Sequence, residues 1–340
     1  MKLIMKPKYL VTLLTSSKLL YLKLSYDSFY NQFNKSNINY EIIIIINTLN
    51  NDYASSVLNE FNKKCKVIRT DSNGFPGKGH NSCIEYFRNN SSYDYLIPID
   101  GDDFVYPWFL DSICNYNNEL YKTDILLLPF SDIITKQNTN DIYYPFKTFN
   151  WVIALEEHNL IQEVYEHKLS PFDNSLKKIN NLGRLILVSR NALNINFKFT
   201  EDNYYDDLNP LLEIIEHSYL FPEKYKLYLL NDTNLFIYNK LNEDSCSIKY
   251  NQDLNDKLKT LDDQWKIFYN NKFLSIRNWN IKFIKTLKLS YDKDILIKKF
   301  NYIKNLAKHF PLNNDFSYDN NNINKFHSYL INNDYKSIYL

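Results

Sequence analysis

Glycine is scarce in this chain, with 5 in 340 residues. Neither the P-loop pattern nor GxGxxG occurs, so the usual glycine-rich nucleotide loops are excluded. Four of the five (Gly74, Gly77, Gly79 and Gly101) fall between residues 74 and 101. Spending nearly all its glycine there implies a sharp backbone turn or a close approach to a ligand. Cysteine is sparse too: Cys65, Cys83, Cys114 and Cys246 are scattered, with no close pair of the metal or redox kind. Reduced, mostly buried thiols in a cytosolic setting are expected. No apolar run approaches the roughly 20 residues of a membrane span. The stretch 9–14, behind Lys2, Lys6 and Lys8, is too short for a signal-peptide core and lacks a small-residue cleavage site.

What is abundant points to a packed globular protein. Hydrophobic residues make up 44% of the chain and aromatics 16%, which excludes a disordered chain. The wealth of Asn, Lys, Ile and Tyr resembles the codon bias of an A+T-rich genome, which lowers the weight of any single Asn or Lys. The length fits two or three structural units. Charge of one sign is missing overall, at +1, but residues 257–308 hold 13 Lys and Arg against 4 Asp, or +9. That basic segment on an acidic body is either a solvated helix face or a peripheral contact with an anionic membrane or polymer. No nucleic-acid partner is expected.

Hydrophobic periodicity alternates between strand and helix. Strands are expected at 8–15, 41–47, 66–70 and 93–99, and helices at 19–33, near 53–62 and near 81–89. The five isoleucines at 42–46 suit a central strand covered on both sides. A glycine loop at 73–79 is expected to lead into the third helix. Further strands are expected at 124–130, 183–190, 226–230 and 234–238, around a polar, irregular stretch reaching residue 180, with helical pattern after 250. Strands separated by helices imply βαβ units, a mostly parallel sheet and ligands at the strands' carboxyl ends.

At such an end lies Ile99-Asp100-Gly101-Asp102-Asp103. Three carboxylates this close raise one another's pKa unless a cation neutralises them. Oxygen ligands of this kind suit Mg²⁺ or Mn²⁺, ions that commonly bridge to a diphosphate. The alternative is a turn capping the helix that starts near Pro107. Lys78, His80 and the amides of the next helix start fall on the same sheet edge and would attract phosphate. A plain glycine turn is the other reading of that segment. Asp206 and Asp207 precede an apolar stripe of Leu208, Leu211, Leu212 and Ile215. They are either helix caps or a general base facing a cleft, with Glu201 and Asp202 as rivals. Glu156, Glu157, His158, Glu163, Glu166 and His167 lack the HExxH spacing and read as a polar helix face. Trp108, Trp151 and Trp265 read as core, although Trp151 lies where an acceptor could dock.

Together these residues resemble a GT-A glycosyltransferase, most similar to family 2. The resemblance rests on the D-x-D-D at 100–103, on Gly79-His80-Asn81 where the family has an A-R-N helix start, and on the strand 183–190. It is extended by Asp206-Asp207 in place of the family's E-D motif, and by the closing segment 235–247. It covers roughly residues 8–250. The chain departs from the family in carrying His80 for the arginine, and Asn47-Thr48 where an Asp usually ends the second strand, which leaves Asp71 to substitute.

The resemblance implies an α/β, Rossmann-like GT-A domain over 1–250, with a mostly parallel central sheet flanked by helices. Its nucleotide-binding half would be 1–120 and its acceptor half 121–250, followed by a basic, mainly helical extension at 251–340. It implies a metal-dependent, inverting transferase moving a sugar from a uridine-diphosphate sugar to a hydroxyl of a glycan, lipid or protein. Mn²⁺ or Mg²⁺ would be held by Asp102 and Asp100, with Asp103 orienting the loop. Asp71, Lys78, His80, Asn81, Asp100 and Asp103 would contact the donor, and Asp207 or Asp206 would be the base. A sugar nucleotidyltransferase and a non-catalytic nucleotide-sugar or glycan-binding protein on the same fold are the alternatives.

Overall fold

A computed structural model describes residues 6–33, 35–119, 123–128, 132–134, 184–201, much of 206–242, and 284–285. The first four strands are β1 (Lys8–Thr15), β2 (Asn39–Ile46), β3 (Lys66–Arg69) and β4 (Tyr95–Asp100). β1 pairs in parallel with β2 and β4, and β2 with β3. The intervening helices are α1 (Leu19–Tyr30), α2 (Asn51–Phe61) and α3 (Pro76–Asn89); α4 (Phe109–Glu119) follows β4 and the short β5 (Phe104–Val105). Tyr9, Val11, Leu13, Ile42, Ile44 and Ile46 form one core with residues of α1, α2 and α4. Alternate residues such as Leu10 and Leu14 face the other side, where α3 packs against β1, β2 and β4. Covered on both faces, Ile43 to Ile46 are all fully buried, and each such side chain contributes about 1.5–3 kcal/mol.

Five more strands are β6 (Ile125–Leu128), β7 (Asp132–Ile134), β8 (Arg184–Ser189), β9 (Leu227–Leu230) and β10 (Phe236–Asn239), and β11 is Ile284–Lys285. The main sheet runs β11-β9-β6-β8-β4-β1-β2-β3, parallel except where β8 lies antiparallel to β4 and β6. Asp124 ties three strands at one end. It is buried and accepts from the Ser189 hydroxyl at 2.6 Å and the Lys226 amide at 3.0 Å. The strand order switches between β1, which leads on to β2 and β3, and β4 on its other side; such a switch point in a parallel sheet is where ligands bind outside the strands' carboxyl ends.

Two sequence expectations change here. α3 starts at Pro76, not near Asn81, so Gly77 and Gly79 lie in its first turns and not in a loop. Close packing explains their presence in a helix. A Cβ on Gly77 would come within 3.0 Å of the Thr200 carbonyl group, and one on Gly79 would sit 2.5 Å from Leu14 Cδ1. Second, a small sheet β5-β10-β7 stands beside the main one and includes Asp132–Ile134, within the stretch read as irregular. The strand expected at 183–190 is present and runs antiparallel to its neighbours within the mostly parallel sheet, so its first residue lies at the carboxyl edge.

Trp108 packs against the core and stacks on Tyr106 at 5.1 Å. Cys65, Cys83 and Cys114 are free thiols, and burial pushes each up to about 11. Among the described residues no helix is long and apolar enough to cross a membrane. Apart from Ile284–Lys285, which pair with β9 at the sheet edge, the extension at 251–340 lies outside the described residues. So do Trp151, Trp265, Cys246, Asp202 and the Glu and His residues at 156–167.

Candidate active site

The acidic turn is built by a close backbone approach. Asp100 ends β4 opposite Leu14, and the Gly101 amide donates to the Leu14 carbonyl at 2.5 Å. A Cβ on residue 101 would lie 2.8 Å from that carbonyl, so glycine is needed there. The Asp103 amide then donates to the Asp100 carbonyl at 3.0 Å, closing the turn.

The three carboxylates have different partners. Asp100 Oδ2 accepts from Arg184 Nη1 at 2.7 Å, and its Oδ1 lies 3.0 Å from His80 Nε2. Asp103 is fully buried; its Oδ1 accepts from the Asn239 amide at 2.8 Å. Its Oδ2 lies 2.6 Å from Arg184 Nη1 in an ion pair that lacks hydrogen-bond alignment. Asp102 Oδ2 accepts from Asn242 Nδ2 at 2.6 Å. Burial raises the pKa of all three carboxyls, and the partners decide the outcome. His80 and Arg184 overcome burial at Asp100 and hold it well below the usual carboxylate range. Asp102 is pushed up to about 6 by burial and by Asp100. At Asp103 burial and the two neighbouring acids outweigh Arg184, so its carboxyl is raised.

His80 bridges to the second acid pair. Its Nδ1 lies 2.5 Å from Asp206 Oδ2, and its ring packs on Phe199 at 4.7 Å. Only the imidazolium donates from both nitrogens. Burial opposes that charge, but Asp206 and Asp100 outweigh it and raise the His80 pKa well above its usual value. Asn81 anchors the same segment: it donates to the Phe199 carbonyl at 2.9 Å and to Glu201 at 2.8 Å, and accepts from the Phe199 amide at 2.8 Å.

Asp206 is buried, whereas Asp207 is exposed. The Asp207 carbonyl accepts from the Leu211 amide at 3.2 Å, so this pair opens a helical segment that includes Pro210, Leu211, Glu213 and Ile214. Asp207 keeps access to solvent at the edge of a dense site. Surrounding protein and the charge of Asp206 push its carboxyl up to about 6, with His80 opposing.

The expected donor contacts separate into two groups. His80, Asp100, Asp102 and Asp103 come together with Asp206 and Asp207. Lys78 and Asp71 pair with each other at 3.1 Å, with Asp71 almost fully exposed. Asn47 is buried, donates to the Phe75 carbonyl at 2.9 Å and accepts from Thr70, tying the end of β2 to the turn before α3. Sequence reasoning missed Arg184, Asn239 and Asn242. Arg184, the one charge on an otherwise apolar strand, was a legible signal; the two asparagines carried none. Among the described residues no group of three or more His, Cys, Asp or Glu is arranged to hold a metal, so a cation here would draw further ligands from elsewhere.

Residues 17–128 match the sequence family described as glycosyl transferase family 2. That segment runs from α1 to β6 and contains the acidic turn, so this part of the mostly parallel α/β sheet is similar to the family 2 glycosyl transferases. Among solved structures it is similar to S. aureus TarS 1–349 in complex with UDP-GlcNAc, at 16% identity and TM-score 0.46. That match covers 71% of this chain and 60% of the other, so less than two thirds of the TarS segment is spanned. It is also similar to the mannosyltransferase PcManGT from Pyrobaculum calidifontis in complex with GDP-Man and Mn²⁺. There the identity is 10% and the TM-score 0.45, over 98% of this chain and 83% of that one. No curated protein matches the chain.

Proposed function

We propose that the chain transfers a sugar from a uridine-diphosphate sugar to a hydroxyl of a glycan, lipid or protein, with inversion and with a divalent cation. One observation supports this reading: His80 joins Asp100, at the carboxyl end of β4, to Asp206 at the helix start, so the two acid pairs lie side by side. Asp102 fits a hard dication, since its raised carboxyl marks negative charge that Arg184 and His80, engaged by Asp100 beside it, leave uncompensated. A Mn²⁺ or Mg²⁺ ion held there would supply Lewis-acid stabilisation to the leaving nucleoside diphosphate. Asp207 takes the proton of the acceptor hydroxyl as its oxygen attacks the anomeric carbon. Asp206, held by His80, fixes the helix start that presents Asp207. A single displacement through an oxocarbenium-like transition state inverts the centre. Lys78 and Asp71 belong to the outer rim, where they contact the nucleoside end of the donor.

The test is to incubate the purified chain with Mn²⁺ and a panel of sugar nucleotides and measure nucleoside diphosphate release. Turnover with a uridine donor is expected. Asp102→Asn should lower it at least about 100-fold, in the range of losing one electrostatic contributor. Asp207→Asn should abolish transfer while donor binding, read by calorimetry, survives. Donor binding lost with Asp207→Asn would remove the assignment of that residue as base. The basic stretch 257–308 is proposed to dock on anionic membrane from the cytosolic side; vesicle binding that ignores salt would contradict this.

A further inference from the structure

The guanidinium of Arg184 is the only arginine head in contact with the acidic turn among the described residues. It reaches the turn because β8 runs antiparallel, which puts the strand's first residue at the carboxyl edge. One nitrogen, Nη1, lies 2.7 Å from Asp100 and 2.6 Å from Asp103. The head is flanked by the rings of Phe236 and Tyr238, at 4.8 and 4.5 Å. Those rings belong to β10, the strand that also sends the Asn239 amide to Asp103. The cation is therefore fixed by stacking as well as by charge. Both oxygens of Asp100 are engaged by protein cations, and Asp102 alone faces no arginine or histidine partner at bonding distance.

We propose that Arg184 is a built-in counter-ion that occupies Asp100 and Asp103, so that the turn admits a divalent cation only together with the donor diphosphate, through Asp102. This rests on the donor and cation reading above. Arg184 is a positioning residue in this scheme. It keeps the acidic turn folded before any ligand arrives, and it denies free cations the cluster of carboxylates that would otherwise bind them.

Thermal unfolding of the full chain with and without millimolar Mn²⁺, in the absence of nucleotide, tests it. Wild type should shift by less than about 1 °C. Arg184→Gln should melt lower, and Mn²⁺ alone should restore about 4 °C or more, roughly one to two kcal/mol-sized steps on the usual scale. Its donor KM should rise about tenfold. Arg184→Lys, which keeps a charge at the same strand end, should regain indifference to free Mn²⁺. Arg190→Gln is the matched control. That arginine sits just beyond the other end of the strand and holds the carbonyls of Phe87, Asn90 and Tyr93, so the variant should lose stability without a Mn²⁺ response. The proposal falls if wild type gains as much from Mn²⁺ as Arg184→Gln, or if Arg184→Gln behaves like Arg190→Gln. Should Arg184→Gln fail to fold without cation, refolding in Mn²⁺ replaces the melt: recovery supports the counter-ion role and no recovery overturns it. If wild type neither binds nor turns over any sugar nucleotide, the donor reading fails, while the Mn²⁺ melts still decide what Arg184 does.

Discussion

The acidic turn at 100–103 and the acid pair at 206–207 divide their work in the same way but are neutralised differently. In each, one carboxylate is spent on holding the site and another is left available. Asp100 is clamped by His80 and Arg184 and held strongly acidic, while Asp102 is pushed up to about 6. Asp206 is buried on His80, while Asp207 stays exposed and is also pushed up to about 6. The turn has two protein cations and a third, buried acid to accommodate. The helix start has one cation and the helix dipole, which favours carboxylates there by a few tenths to about 1 kcal/mol. The imidazolium is shared, so the two regions cannot be perturbed independently.

The sharpest way to break this arrangement is His80→Ala. Removing the shared cation leaves Asp100 with Arg184 alone and Asp206 without its imidazolium partner, and uncompensated buried charge costs about 3–5 kcal/mol. A fall in denaturation midpoint of that size, with transfer lost, is expected; a change below 1 kcal/mol would mean the bridge is incidental. Gly77→Ala is expected to come next. Its Cβ would come within 3.0 Å of the Thr200 carbonyl group, forcing α3 away from the segment that carries Asp206, and overpacking of this kind costs about 1–3 kcal/mol. Asp206→Asn against Asp207→Asn isolates the division of labour within one pair. The first should lower stability by about 1–3 kcal/mol through a weakened charge-assisted bond. The second, at an exposed position, should stay within about 0.5 kcal/mol while ending turnover.

The smallest effect is titration. Asp207 must be ionised to accept a proton, so turnover should decline as pH falls through about 6. Stability has two limbs. The folded-state pKa of His80 is raised, so its contribution is full below its usual 6.5 and is lost as pH climbs through the raised value. That of Asp100 is depressed, so its contribution is present above the usual 3.8 and is lost as pH falls through the depressed value. Asp102 works in reverse: its cost at neutral pH is relieved as pH falls through about 6. Melting curves between pH 4 and 9 should therefore lose an alkaline limb in His80→Arg, whose cation does not titrate.

The first half of the fold was legible because its signals are local. Five isoleucines in a row, an apolar strand ending in acids and a proline at a helix start each declare themselves within a few residues. β1 matches its expected bounds, and the helices and strands through β4 fall within a few residues of theirs, α3 excepted. That helix starts early because Gly77 and Gly79 answer to Thr200 and Leu14, contacts that chain-neighbour reasoning cannot see. The small sheet was illegible for the same reason: Phe104-Val105 and Asp132–Ile134 are too short to carry a period.

By itself the sequence determined the alternating α/β order, the buried central strands and the placement of three carboxylates at a strand's carboxyl end. Those follow from hydrophobic periodicity and from glycine used where backbone comes close. Only the tertiary structure decided which acid is spent and which is open. That outcome depends on Arg184, Asn239, Asn242 and Asp206 arriving from 80 to 140 residues away. A carboxylate's charge state is set by the groups within a few ångströms of it, and those are fixed by strand direction and packing, not by neighbours along the chain.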